Sequence, residues 1–241
     1  MSKPVKIALA LLVVAVAAGG ALYFLFANED APDEVDLGDA VDAVDDEGDD
    51  SNVDGVEGAW VVDTSQGTFD FSESATGTYV GFRVDEEHTI LGSITAVGRT
   101  PDVSGEITIE GTSLEAAAFT AGLDEITTDQ SLRDNRVQGA LGTDEFPDAT
   151  FVLTEAVDLG EAAADGGPVT VTAAGDLTIK GVTQPISIEL QAQVTGSTLV
   201  VVGSTQITFA DWGVEVPTAP VVASADDFGI LEVQLLLTQA A

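Results

Sequence analysis

The chain has one histidine, and it follows a run of acids, Asp85-Glu86-Glu87-His88. A carboxylate beside an imidazole is the raw material of a general base or of a metal site. With one His and no Cys, transition-metal ligation has little to build on. A lone His beside surface acids is more often a solvated loop residue. Arg133-Asp134 stands out for another reason. From residue 58 onward the basic residues are Arg83, Arg99, Arg133, Arg136 and Lys180 only. Two readings of such an Arg stay open. It can pair with Asp or Glu to pin loops, or it can hold the polar head of a ligand in a desolvated mouth, where a charge-assisted bond is strong. There is no Gly-x-Ser-x-Gly elbow, no Gly-Lys-Thr phosphate loop and no Gly-x-Gly-x-x-Gly turn. Nucleophilic, metal and nucleotide chemistry are therefore unsupported, and no cofactor is expected. The expectation moves from enzyme to binding protein, with acid–base chemistry by carboxylates left open. The net charge of −35 argues against nucleic acid as a partner and against direct docking on anionic headgroups.

The elements that must position these groups read as strands. Val80, Phe82 and Val84 alternate with Tyr79, Gly81 and Arg83. Val103, Ile107 and Ile109 alternate with Ser104, Glu106 and Thr108. Ile186, Ile188 and Leu190 alternate with Ser187, Glu189 and Gln191, and Leu231, Val233, Leu235 and Leu237 share one face near the end. Period two with one apolar face marks half-buried strands. Turn signals such as Glu110-Gly-Thr-Ser and Thr195-Gly-Ser recur between them. The fold class is all-β, an antiparallel sandwich or up-and-down barrel. One helix is predicted over residues 129–141, capped by Thr128 or Asp129 and ended by Gly142.

The region ahead of the strands divides in two. Residues 7–26 are uncharged and Ala/Leu/Val-rich; at about 1.5 Å per residue they would span roughly 30 Å, a bilayer core. Lys3 and Lys6 precede them, which predicts a cytoplasmic N-terminus and an extracytoplasmic remainder. A cleaved signal peptide is the rival reading. Segment 1–27 is thus read as a transmembrane anchor and 28–57 as an acidic disordered linker, because fourteen of its residues are Asp or Glu and none is basic. Asp50-Ser-Asn52-Val-Asp54-Gly55 matches half of a calcium loop, but its twelfth position is Val61 rather than Glu, so it reads as a chance match. The folded domain is residues 58–241.

Several motifs occur in a set order: Ala59-Trp-Val-Val-Asp63, Phe82-Arg-Val84, Val103-Ser-Gly-Glu-Ile107, Ile126-Thr-Thr128, Arg133-Asp134, Phe146-Pro147-Asp-Ala-Thr-Phe151 and Gly175-Asp-Leu-Thr-Ile-Lys-Gly-Val-Thr-Gln-Pro185. Together they resemble the YceI-like family, in an actinobacterial-type membrane-anchored form, over about residues 59–237. Arg136 and Asp85-Glu86 stand where the family often has His. The resemblance implies a lipocalin-like antiparallel barrel with one short helix, binding isoprenoid or other long amphiphilic chains outside the cytoplasm, with no established reaction. Candidate ligand-binding residues are Phe82, Val84, Phe119, Phe151, Leu177, Ile179, Phe209 and Phe228 on the wall and Arg133 at the mouth. A one-residue slip in the phase of a strand reverses every face. The alternative is a non-catalytic surface interaction module with a filled barrel core. Oligomeric state is not set by any of these features.

Overall fold

The computed structural model describes residues 31–46, 55–69, 76–89, 92–217 and 222–240. Residues 7–26 and most of the Asp50–Gly55 segment lie outside these. No helix among the described residues is long and apolar enough to cross a membrane.

Among the described residues thirteen strands form one antiparallel sheet: β1 (Gly58–Val62), β2 (Tyr79–His88), β3 (Gly92–Thr100), β4 (Val103–Glu110), β5 (Ser113–Gly122), β6 (Thr127–Thr128), β7 (Asp148–Leu153), β8 (Val157–Asp158), β9 (Val169–Ile179), β10 (Val182–Thr195), β11 (Thr198–Thr208), β12 (Val222–Ala225) and β13 (Phe228–Gln239). Eight of them close on themselves in the order β1-β4-β5-β7-β9-β10-β11-β13, with β13 returning to β1. The first half of β13 pairs instead with β2, and the β2–β3 hairpin carries the wall onward at that end. Closure removes exposed sheet edges and encloses one face of every strand.

Turn chemistry sets the register. β9 and β10 are joined by Lys180-Gly181, both at positive φ (52° and 72°), as a two-residue hairpin turn of this twist requires. Lys180 Nζ then donates to the carbonyls of Ala140 and Gly213, 3.0 Å each, and ties this turn to its neighbours.

Among the described residues two α-helices lie on the barrel: α1 (Leu37–Asp46) and α2 (Ser131–Leu141). The second is the helix expected from the sequence, and Gly142 ends it in the left-handed conformation, φ 70°. Its N-cap is Gln130, not Thr128 or Asp129. Those side chains are engaged elsewhere: the Thr128 hydroxyl donates to Asp134 Oδ1 at 2.7 Å, and the Asp129 carboxylate accepts from Val97 N–H and from Arg133.

For residues 31–46 the first helix corrects the expectation of an acidic linker with no fixed structure over 28–57, while within 58–241 α2 is the single α-helix among the described residues, as expected. α1 packs Ala40, Val41 and Val44 onto Val200, Val202 and Leu236, on the outer face of β11 and β13. The physical reason lies in both partners. Leu37, Ala40, Val41 and Val44 recur at helical spacing beneath the acids. Leu199–Val202 and Leu235–Leu237 are continuous apolar runs, so their strands have an apolar outer face that must be covered.

Candidate functional site

The inward phase of the strands is consistent around the ring. Phe82, Val84, Phe119, Phe151, Leu177, Ile179 and Phe209 all line one central cavity of about 520 Å³. That lies within the range of roughly 300–1,000 Å³ typical of small-molecule sites. The lining runs along β10 from Ile186 to Val194, roughly 26 Å of strand at about 3.3 Å per residue. With strands tilted about 40°, the lumen is roughly 20 Å long.

The cavity is open inside because of glycines. Phe82 lies across from Gly98, Phe119 across from Gly105, and Leu190 across from Gly203. A methyl on Gly98 would fall 2.4 Å from Phe82 Cε1; at Gly105 it would fall 2.4 Å from Phe119 Cδ1, and at Gly175 2.3 Å from Phe151 Cζ. Each ring therefore occupies the space over bare backbone of the adjacent strand that a Cβ would fill. Large side chains coat the wall rather than filling the middle. Ala96, Ala117, Ala121 and Ala173 supply further small wall positions.

The two ends differ. At one, Val56 and Ala163 are buried and close the lumen beneath the short 3-10 turn Glu161–Asp165. At the other stand α2, the end of β2 and the segment 214–217, with exposed Arg136 on the lining. This mouth gathers the charged groups of the cavity. Arg133 Nη1 bonds Asp129 Oδ1 at 2.5 Å, and its Nη2 lies 3.3 Å from Glu86 Oε2. His88 Nε2 lies 3.0 Å from the same Glu86 oxygen. Burial pushes the Asp129 carboxyl above its ordinary value, against the opposing charge of Arg133. Arg133 is thus paired with acids, as the first reading has it, and it borders the lumen.

Phe228 is the exception among the candidate residues and is corrected here. It is absent from the lining, because Leu231, Val233, Leu235 and Leu237 face inward and Phe228 is out of phase with them. Glu86 and His88 were not expected at the mouth. They simply continue the inward phase of Val80, Phe82 and Val84, so extending the alternation two steps further would have found them. Among the described residues no group of three His, Asp or Glu side chains is placed to hold a metal ion.

Fold and site together define a class: a hollow, lipocalin-like antiparallel barrel with an apolar lumen and one polar mouth. Its sequence is matched over residues 60–235 by the YceI-like domain family, and the chain belongs to that family. A UPF0312 protein of Shewanella sp. strain MR-4 is 27% identical over 146 residues, 56% of this chain and 73% of the relative. One from Shewanella denitrificans is 25% identical over 174 residues, 68% and 86%. Among solved structures, a polyisoprenoid binding domain from Saccharophagus degradans implicated in plant cell wall breakdown aligns with a TM-score of 0.54 at 18% identity, covering 75% of this chain and 98% of that one. Burkholderia cenocepacia BcnA aligns at 0.51 and 19% identity, covering 73% and 98%. At these identities the structural matches establish the shared barrel.

Proposed function

We propose that this protein is a membrane-tethered, extracytoplasmic, non-catalytic binding protein that holds a polyisoprenoid or similar long amphiphilic lipid in its lumen. The observation that carries the reading is the open apolar cavity of about 520 Å³, walled by rings packed against glycine backbone. A barrel serving only as an interaction surface has no need of such a void, which forfeits packing contacts along its whole wall. An apolar cavity of about 150 Å³ already stays dry and takes up benzene; this one suits a far longer chain. Each CH₂ moved from water into it gains about 0.8 kcal/mol. The similarity to a polyisoprenoid-binding domain supports the same ligand class. The ligand's polar end would sit among Arg133, Glu86 and His88, and residues 7–26 would hold the protein at the bilayer.

The test is displacement of a fluorescent fatty probe by n-alkanols of increasing length. Affinity is expected to rise by about 0.8 kcal/mol per CH₂ and to level off once the chain outgrows the lumen. No length dependence would refute the reading. One observation favours a second reading: Glu86 and Asp129 flank Arg133 beside the lumen, and Asp129 is held toward its protonated form. Acid–base chemistry on an isoprenoid-like substrate would show as a bound lipid recovered chemically altered after incubation.

A further inference from the structure

The residues ahead of β1 are strapped to the barrel in a definite direction. Arg83 Nη2 donates to the Pro32 carbonyl at 2.6 Å, and Arg99 Nη2 donates to the Asp33 carbonyl at 3.0 Å. The buried Glu232 carboxylate lies 3.6 Å from both guanidinium groups and accepts the Val35 N–H. α1 then covers Val200, Val202 and Leu236, and Asp45 accepts the Thr195 hydroxyl at 2.5 Å. β13 serves as a ruler. It starts at Phe228 on the mouth side and ends at Gln239 on the closed side. Along it the strap passes Glu232, then Leu236, then the β10–β11 turn. The chain therefore arrives from the mouth side and runs toward the closed end.

We propose that this docked strap holds the mouth of the barrel toward the lipid bilayer, so that the bilayer itself supplies the ligand. The proposal rests on the anchored, lipid-binding reading above. Chain reach decides the orientation. Four residues lie between position 26, the end of the apolar run, and Ala31, and the five Cα steps span at most roughly 18 Å. From Glu232 to the mouth-side end of β13 is four residues, roughly 10 Å along the barrel axis after tilt. From Glu232 to the closed-side end is seven residues, roughly 18 Å, and the chain would have to double back over α1 to reach it. The mouth is reached with slack, whereas the closed end would take the whole tether at full extension. Charge does not choose between the ends, since exposed acids stand at both: Asp39, Asp42 and Asp45 on α1, and Asp85, Glu87, Asp124, Glu125 and Glu215 around the mouth. At the mouth, half-buried Val216 and Pro217 border the lumen and continue its apolar wall to the rim.

The chain has no Cys, so single labels are clean. Full-length Glu215→Cys, at the mouth rim, and Glu161→Cys, at the closed end, would each carry a fluorophore. The protein is reconstituted in phosphatidylcholine vesicles containing a nitroxide-headgroup lipid. The expected result is quenching at least threefold stronger at the Glu215→Cys label. Inserting a Gly-Ser spacer of about twenty residues between positions 27 and 28, which lifts the limit on reach, should collapse the difference. Equal or reversed quenching, no quenching at either label, or a difference that survives the spacer overturns the orientation. Lipid extracted from the same samples separates two failures. Bound lipid with equal quenching sinks the orientation alone, while empty barrels sink the binding reading beneath it.

Discussion

Ala173→Phe tests the hollow lumen from inside. Ala173 lies on the lining of β9, is 1% exposed, and is paired across the sheet with Ile188. At this exposure its methyl is covered by neighbouring wall side chains, so a ring here must turn past them into the lumen, where it displaces a ligand segment of about its own size. The added ring has about six carbons. At about 0.8 kcal/mol per CH₂, excluding as many from the lumen costs a bound chain up to about 5 kcal/mol, on the order of a thousandfold in Kd. A bent or shortened chain recovers part of this, so about a hundredfold is the smallest loss expected. Moving those neighbours aside costs about 1–3 kcal/mol, offset in part by contacts the ring makes across the void. The assay is titration with a fluorescent long-chain alcohol alongside a thermal melt. The expected pair of results is lost binding in a variant that still folds, with a lowered Tm. Unchanged affinity in a folded variant would refute the argument, since the ligand would then not occupy this lumen.

Other outcomes follow from the same structure. Gly98→Val places a side chain where the Phe82 ring now lies, so it should cost about 1–3 kcal/mol of stability and weaken lipid binding by driving that ring into the lumen, as read by denaturant melts and titration. Val41→Asp puts a charge against Val200, Val202 and Leu236; amide exchange over Leu37–Asp46 should become fast while that of β13 stays slow. Burial raises the Glu232 and Asp129 carboxyls above their ordinary values, against the charges of Arg83, Arg99 and Arg133. A raised folded pKa means that the folded state keeps its proton to higher pH than the unfolded chain. The stability these groups contribute is thus full below the ordinary carboxylate range and lost as pH rises through their raised values. Mild acidification from neutral pH should raise Tm, helped by relief of a net charge of −35, and a steady fall in Tm would contradict this. Arg133→Ala leaves Glu86 and Asp129 without their shared partner and should destabilise by on the order of 3 kcal/mol, with Arg133→Lys recovering part of the loss in urea melts.

Much of the barrel was legible because period-two alternation is local. Val80-x-Phe82-x-Val84 fixed both the strand and its inward face, and the structure places all three on the lumen. Phe228 shows the limit of reading residues singly. Its hydrophobicity suggested the wall, but the phase of Leu231, Val233 and Leu235 had already placed it outside. The hollowness was not legible at all, since it depends on which glycine faces which ring. Gly98 is sixteen residues from Phe82, and only the β2–β3 register brings them together. The strap was hidden by composition. The acid density of residues 28–57 argued for disorder, while the need to cover Val200, Val202 and Leu236 lay more than a hundred residues away.

The central claim is a long apolar ligand inside the barrel. The most direct measurement is mass spectrometry of the organic extract from purified full-length protein, quantified against protein and compared with Ala173→Phe prepared in parallel. The account predicts a long-chain lipid at about one per barrel in the parent and its near absence in the variant. A folded parent that yields no lipid and takes none from added polyisoprenoid alcohol, or a variant that retains an equal amount, would contradict it.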